Sequence, residues 1–127
     1  YDAFLIKENH ILACGGIREA VERAREVLPQ LLRVEVEATT PEEVDEALEA
    51  GADLILLDNM TVETVRRVVE RVRGRVPLEV SGGVSLDSVR RMAETGVNGI
   101  SVGRITHSAP SADLSMLVRH VWTRNAG

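Results

Sequence analysis

The sequence has very little cysteine, lysine or aromatic residue. A single cysteine, Cys14, excludes an internal disulfide and fits the reducing conditions of the cytoplasm. Aromatic residues make up 2% of the chain, so the core must be built from Val, Leu, Ile and Ala. Lys7 is the only lysine among the 15 Lys and Arg residues, and all the others are arginines. One retained lysine is therefore a candidate functional residue, although a surface lysine at a strand end is the simpler interpretation.

Other absences exclude classes of partner. No apolar run is long enough to span a membrane, and no secretory signal pattern is present. The net charge of −5 argues against binding to a nucleic acid, whose phosphates select basic surfaces. With 127 residues, of which 44% are hydrophobic and 28% charged, the chain has the size and composition of one globular domain. We expect a cytoplasmic protein with neither a membrane nor a nucleic-acid partner.

One pattern occurs five times: a short apolar run, a turn and an amphipathic stretch with helical spacing. The apolar runs are residues 3–6, 34–36, 54–57, 78–80 and 99–102. The helical stretches are residues 17–31, a segment beginning at the Thr40 N-cap and Pro41, then 62–72, 86–93 and 114–121. Strands that alternate with helices form parallel sheets. The sequence thus predicts an α/β fold, a partial (β/α) TIM-like barrel of about five consecutive units.

An open, doubly wound sheet is the competing architecture. Two observations favour the barrel. No Gly-x-Gly-x-x-Gly motif follows the first strand, and polar residues or glycines end every strand rather than meeting at one switch point. Five strands cannot close a barrel and would leave open edges, so we expect residues 1–127 to be a piece of a longer polypeptide.

The strand-end residues form the candidate site, because the carboxyl ends of barrel strands share one rim. They are Lys7, Glu37, Asp58, Ser81 with Gly82 and Gly83, and Gly103. Glu37 and Asp58 are the candidate metal ligands, since carboxylates together with substrate phosphates are what Mg²⁺ takes in proteins. For Asp58 alone, a role as a turn residue or helix cap is an equally good explanation.

Two glycine-containing loops indicate a phosphate site. Gly82 and Gly83 follow a strand and precede a helix, so their backbone N–H groups are placed to bind an anion. Gly103 ends the next strand, Ser81 offers a hydroxyl group, and His107 follows closely. Beside such a site the ammonium group of Lys7 would neutralise an anionic substrate.

Five sequence blocks, taken in order, resemble the C-terminal barrel domain of the quinolinate phosphoribosyltransferase family. The blocks are LIKENH, EVEA, GADLILLDNM, EVSGGVS and TGVNGISVGRITHSAPSADLSM. The resemblance covers essentially the whole chain. Glu8 replaces a more usual Asp and Ala38 a more usual Val, and neither substitution affects the site residues.

The resemblance implies a transferase of NAD biosynthesis that makes nicotinate mononucleotide, pyrophosphate and CO2 from quinolinate and phosphoribosyl pyrophosphate, with Mg²⁺. It implies that Lys7 contacts the acidic substrate and that Glu37 and Asp58 approach the ribose hydroxyls and the metal. Phosphate would lie at the Ser81, Gly82 and Gly103 positions, with His107 nearby.

The resemblance also implies that residues 1–127 are the C-terminal part of the barrel domain, and that an N-terminal domain and the first barrel strands, which supply further basic residues, are absent from this chain. The resemblance implies a homodimer or higher homo-oligomer, because some of these basic residues come from across a subunit interface. Without them, this segment alone should be inactive. Two alternatives remain: a paralogue of the same fold, of the molybdenum-transport-associated type, and a non-catalytic barrel that only binds phosphate.

Overall fold

A computed structural model describes residues 3–27, 32–103 and 116–118, which form five strands and five helices. In chain order these are β1 (Ala3–Ile6), α1 (Glu8–Cys14), α2 (Ile17–Val27), β2 (Arg33–Ala38), α3 (Pro41–Glu49), β3 (Leu54–Asp58), α4 (Val62–Val72), β4 (Leu78–Ser81), α5 (Leu86–Ala93) and β5 (Gly99–Ile100).

The five strands form one parallel sheet in the order β1-β2-β3-β4-β5. Each strand thus lies beside the next one along the chain, as in a barrel, and the described sheet has no point at which the strand order reverses. This confirms the predicted partial barrel and is inconsistent with the doubly wound alternative. All five carboxyl ends lie at the same edge of the sheet.

The strands alternate between two environments. In β2, Val34, Val36 and Ala38 are fully buried against the helices, whereas Glu35 and Glu37 on the opposite face are half-buried. Successive strand residues point to opposite faces, so both glutamates lie on one side of the sheet. The helix-facing layer is the hydrophobic core, built almost entirely from valine, isoleucine, leucine and alanine.

Helix α3 begins as the sequence predicts. The Thr40 side chain accepts a hydrogen bond from the backbone N–H of Glu43, and the Glu43 carboxylate accepts one from the backbone N–H of Thr40. This reciprocal capping satisfies two of the N–H groups that a helix start leaves without partners. Glu37, three residues earlier, is therefore not needed as a cap.

Several boundaries differ from the sequence prediction. Strand β5 ends at Ile100 rather than at 102; its last ladder pair is Ile100 with Val80, although the backbone N–H of Ser101 still donates to the Val80 carbonyl oxygen at 2.8 Å. The last predicted helix covers residues 114–121; of these, residues 116–118 lie in neither helix nor strand, and the others are outside the described residues. Met116 and Val118 are instead hydrogen-bonded through their backbones to the side chain of Asn9. Residues 28–31, the end of the first predicted helix, are also outside the described residues.

Helix α1 is not among the predicted helical stretches, and His10 lies inside it. The helix has only seven residues, too few for a clear apolar period. The backbone N–H of Lys7 donates to Nδ1 of His10 at 3.1 Å, which caps the helix start. The His10 ring also packs against Phe4, with ring centroids 5.8 Å apart. His10 is thus a structural residue of the first turn.

Candidate functional site

Lys7 and Glu37 form an ion pair at the carboxyl edge of the sheet. Lys7 Nζ lies 2.9 Å from Glu37 Oε2, and the side chains are 55% and 16% exposed. Lys7 is the residue after β1 and Glu37 is the penultimate residue of β2, so the pairing of these two strands brings them together. The lone lysine therefore neutralises one of the two candidate metal ligands.

Asp58 ends β3 and is held by the residue that follows it. Asn59 Nδ2 donates to Asp58 Oδ2 at 2.9 Å, and the backbone N–H of Asn59 donates to the carbonyl oxygen of Ser81 at 3.0 Å. Asn59 has φ of +52°, a left-handed conformation that asparagine tolerates better than most residues. The turn thus fixes the direction of the Asp58 carboxylate and links β3 to the end of β4.

Gly82 is required by the close approach of that turn. A Cβ atom at position 82 would lie 2.6 Å from both Asp58 Oδ1 and Asn59 Oδ1, and the backbone has φ of +72°. Both the conformation and the space exclude a side chain. The glycine loop and the Asp58 carboxylate are in this way parts of one packed unit.

Two grooves open on this edge of the sheet. The first, which we call the acidic groove, has a volume of about 330 Å³ and is lined by Glu8, Ile11, Leu12, Glu37, Thr39, Glu43 and Asp58. The second, the glycine groove, has a volume of about 340 Å³ and is lined by Ser81, Gly82, Gly83, Val84, Ser85, Ser101 and Gly103. They adjoin where Asp58 contacts Gly82.

The predicted site residues are divided between these grooves. Glu37 and Asp58 line the acidic groove, with Lys7 bound to Glu37. The four predicted phosphate-binding residues that the structure describes all line the glycine groove; they are Ser81, Gly82, Gly83 and Gly103. His107 lies outside the described residues. The structure therefore brings together every predicted site residue that it describes.

The electrostatic balance of the two grooves differs. Four carboxylates line the acidic groove, and among the described residues no arginine lines either groove. The glycine groove has no charged lining residue in the described part of the chain, so backbone N–H and hydroxyl groups are its polar surface. Such a surface suits an anion, whereas the acidic groove needs a cation as well as Lys7 to accept one.

The described residues contain no group of three or more His, Cys, Asp or Glu side chains that could hold a metal ion. The two predicted metal ligands, Glu37 and Asp58, nevertheless line the same groove.

No helix in the described part of the chain is long and apolar enough to cross a membrane.

Sequence reasoning overlooked two polar contacts near the grooves. The Ser101 hydroxyl donates to the Glu79 carboxylate, which lies on the same face of β4 as Ser81. Alternation along β4 was the available signal, since it places Glu79 and Ser81 on one side. The second contact joins Asn9 to Met116 and Val118. No local sequence pattern predicts a contact between residues so distant in sequence.

Comparison with known proteins identifies the family. The family model described as the C-terminal domain of quinolinate phosphoribosyl transferase matches residues 1–117. The chain belongs to this family. Among curated relatives, a probable nicotinate-nucleotide pyrophosphorylase (carboxylating) of Bacillus subtilis is 45% identical over 116 residues, covering 91% of this chain and 40% of the relative. The Homo sapiens nicotinate-nucleotide pyrophosphorylase (carboxylating) is 37% identical, covering 88% of this chain and 39% of the relative.

Solved structures similar to this chain carry the same enzyme name as its curated relatives. The nicotinate-nucleotide pyrophosphorylase from Francisella tularensis superposes with a TM-score of 0.79 and 46% identity, covering 84% of this chain and 38% of that one. The enzyme of the same name from Ehrlichia chaffeensis gives a TM-score of 0.80 and 43% identity, covering 84% and 39%. The chain thus spans about two fifths of the length of these family members.

Proposed function

We propose that this chain is the C-terminal barrel portion of a quinolinate phosphoribosyltransferase, a pentosyltransferase of NAD biosynthesis. The reaction joins quinolinate to the ribose of phosphoribosyl pyrophosphate and yields nicotinate mononucleotide, pyrophosphate and CO2. The observation that carries the proposal is the junction of the two grooves, where the Asp58 carboxylate packs against Gly82. A carboxylate pair and an anion-binding loop meet there, as a phosphorylated sugar requires.

The ribose would lie at this junction. Its hydroxyl groups are hydrogen-bond donors, and Glu37 and Asp58 supply acceptor oxygens on one side. The 5′-phosphate would occupy the glycine groove, where the backbone N–H groups of Gly82 and Gly83 and the hydroxyl of Ser81 are available. Because Asn59 and Gly82 fix the orientation of Asp58, the site is largely preformed.

Lys7 would change partner when the substrate binds. In the structure its ammonium group neutralises Glu37, and it is more than half exposed on the side away from the core. A carboxylate of quinolinate arriving at the groove competes for the same ammonium group. Lys7 is thereby kept in place before binding and is available to an anion afterwards.

Mg²⁺ fits the donor set. Glu37 and Asp58 share a groove but form no complete cage with other described side chains, and Mg²⁺ is commonly held by one or two carboxylates together with substrate phosphates and water. When bound, the metal supplies charge neutralisation for the departing pyrophosphate.

The chemical step is a substitution at the anomeric carbon of the ribose. The quinolinate nitrogen forms a bond to that carbon, while the bond to pyrophosphate breaks and its electron pair leaves with the pyrophosphate. Positive charge develops on the sugar ring, as in glycoside cleavage. The carboxylates of Glu37 and Asp58 would stabilise this charge electrostatically without forming a covalent intermediate. Loss of CO2 and uptake of a proton at the ring carbon complete the reaction.

The described rim does not carry enough positive charge for this reaction alone. Quinolinate brings two carboxylates and the sugar brings a phosphate and a pyrophosphate, whereas Lys7 is the one basic side chain that the described residues place at the site. We infer that further basic residues come from the remainder of a longer polypeptide and from a second subunit of a homo-oligomer. A cytoplasmic location is part of the proposal, since the single cysteine, Cys14, is free.

The deciding experiment measures release of pyrophosphate by the complete protein in the presence of phosphoribosyl pyrophosphate, quinolinate and Mg²⁺. Release must depend on quinolinate and must stop when a chelator is added. Glu37→Ala and Asp58→Ala should each lower kcat/KM by about 100-fold or more, in the range found when an electrostatic group is removed from an active site. Glu49→Ala, at an exposed residue remote from both grooves, is the control.

Two results would overturn the proposal. Release with a different acceptor base but not with quinolinate would indicate a paralogue of the same fold. Undiminished phosphate binding together with no turnover of any acceptor would indicate a non-catalytic barrel.

A further inference from the structure

The side chain of Asn9 joins two segments that lie 107 residues apart. Asn9 Nδ2 donates to the carbonyl oxygen of Met116 at 2.9 Å, and the backbone N–H of Val118 donates to Asn9 Oδ1 at 2.8 Å. The Asn9 amide therefore bonds the chain on both sides of Leu117, as a donor to the residue before it and as an acceptor from the residue after it.

This contact lies in the same helical turn as Lys7. Asn9 is the second residue of α1, and Lys7 is its N-cap. The Lys7 carbonyl accepts hydrogen bonds from the N–H groups of His10 at 2.8 Å and Ile11 at 3.1 Å, and its own N–H donates to His10 Nδ1. The turn is thus bonded to the backbone of Lys7 on one side and to residues 116–118 on the other.

We propose that Asn9 is a positioning residue: its amide clamps residues 116–118 to the first turn of α1 and so holds Lys7 where it meets the acidic substrate. The second half of this statement rests on the proposed function. Lys7 has a long side chain that is more than half exposed, and its direction is set by the turn from which it projects. Anchoring that turn restricts the positions that the ammonium group can reach.

The clamp requires an amide, because one atom must donate and the other must accept. An ionised aspartate at position 9 has acceptors only, so it would bond the Val118 N–H but repel the Met116 carbonyl oxygen. A protonated aspartic acid has one O–H donor and one acceptor oxygen in nearly the same shape.

The test is Asn9→Asp in the complete protein, followed by amide hydrogen exchange at Val118. At pH 7 the exchange of this amide, corrected for its intrinsic rate, should be at least about 10-fold faster than in the parent protein. Protection should return as the pH is lowered towards about 4, where the introduced carboxyl group takes up its proton. A residue that acted only through bulk would give no such recovery.

The activity readout separates positioning from general structure. Asn9→Asp should raise the KM for quinolinate by about 10-fold at pH 7 with a smaller change in kcat, because substrate is bound by a displaced ammonium group. Asn9→Ala removes both hydrogen bonds without adding charge, so it should give the same two effects at every pH. This second variant keeps the test decisive if the charged variant does not fold.

Asn98→Asp is the matched control. Asn98 Oδ1 accepts a hydrogen bond from the backbone N–H of Leu78 at 2.9 Å, and a carboxylate keeps that bond. Val118 exchange and the KM should stay at the parent values in this variant. Unchanged Val118 exchange in Asn9→Asp and Asn9→Ala would overturn the clamp, and faster exchange with an unchanged KM would overturn its role in positioning Lys7. If the parent protein does not turn over quinolinate, the proposed function fails, while the exchange comparison still decides whether the clamp exists.

Discussion

Lys7 Nζ and Glu37 Oε2 are 2.9 Å apart, and Glu37 lines the acidic groove together with Asp58. The lysine is largely exposed, so water screens the attraction and the pair contributes little to folding. We therefore propose that this lysine, in a chain that otherwise uses arginine, serves substrate binding rather than stability.

Replacing Lys7 with methionine should therefore separate stability from activity. Methionine keeps most of the side-chain length without the charge, and we expect the free energy of unfolding to change by less than about 1 kcal/mol after solvent screening is allowed for. The kcat/KM for quinolinate should fall by about 100-fold. Urea titration and steady-state assays of the complete protein measure the two effects.

Arg18→Met provides the comparison for Lys7→Met. Arg18 Nη2 lies 3.5 Å from Glu49 Oε2 in an exposed pair that borders neither groove. Both stability and activity should stay near the parent values. A large loss of stability in Lys7→Met, with activity retained, would show that the lysine is structural.

Gly82→Ala should disrupt the junction of the two grooves. An alanine Cβ would lie 2.6 Å from the side-chain oxygens of Asp58 and Asn59, in a backbone with φ of +72°. The turn must move to relieve this contact, so we expect kcat/KM to fall by about 100-fold or more together with a loss of stability of about 2 kcal/mol.

Gly51→Ala isolates the backbone part of that effect. Gly51 has φ of +82°, yet no atom lies within 4 Å of the place that an alanine Cβ would take, so alanine there suffers the strained conformation alone. We expect a loss of about 1 kcal/mol of stability and full activity. Equal activity in the two variants would contradict the close approach at Gly82.

The fold, and the placement of the candidate site residues at one edge of the sheet, were predictable because both depend on local patterns. Five apolar runs alternate with helical periods, and a parallel sheet places every strand end on one edge. Lys7, Glu37 and Asp58 were found by their position after such runs, without any knowledge of which atoms touch.

What could not be predicted depends on side-chain geometry or on distant residues. The Lys7–Glu37 pair follows from the register between β1 and β2, and the sequence alone does not fix a register. The steric need for Gly82 arises from the side chain of Asn59, in the loop that follows the neighbouring strand β3. The Asn9 contact joins residues 107 positions apart, and helix α1 is too short to show a period.

Ser85 and Thr61 are equivalent helix caps, but only one of them borders a groove. The Ser85 side chain accepts from the N–H of Ser88 at 3.3 Å at the start of α5, and Ser85 lines the glycine groove. The Thr61 side chain accepts from the N–H of Thr64 at 3.2 Å at the start of α4, and Thr61 lines neither groove. Alanine at either position should lower the free energy of unfolding by about 1 kcal/mol.

The two variants should differ in substrate binding. Ser85→Ala loosens the helix start beside the predicted phosphate site, so the KM for phosphoribosyl pyrophosphate should rise several-fold, whereas Thr61→Ala should leave it unchanged. Steady-state kinetics at saturating quinolinate measure the difference. A parallel rise in both would mean that KM follows overall stability rather than the local geometry of the glycine groove.

Asp53 should make stability depend on pH at the opposite end of the sheet. Desolvation raises the pKa of its carboxyl group, but the hydrogen bond from the Val34 N–H at 2.7 Å and the contact of Arg25 at 2.5 Å lower it, with a smaller contribution from Arg33. The net result is a pKa below the ordinary value of 3.8. The folded state therefore binds this proton less readily than the unfolded state.

The sign of the effect follows from this lowered pKa. Asp53 stabilises the fold at every pH above its unfolded value, and this contribution is lost as the pH falls through the lower, folded value. Asp53→Asn keeps an oxygen that can accept from the Val34 N–H but loses the charge that faces Arg25. Since the side chain is 38% exposed, we expect the variant to be less stable by about 1 kcal/mol after solvent screening is taken into account.

Urea unfolding of the parent and of Asp53→Asn at several pH values tests this expectation. The difference should be constant between about pH 5 and 7 and should shrink below about pH 4, because the unfolded parent then takes up a proton that the folded parent binds only at lower pH. Glu49→Gln, in an exposed pair with Arg18, should show little difference at any of these pH values. A difference for Asp53→Asn that persists undiminished at pH 3 would mean that the carboxylate acts through its shape and hydrogen bonds, and not through its charge.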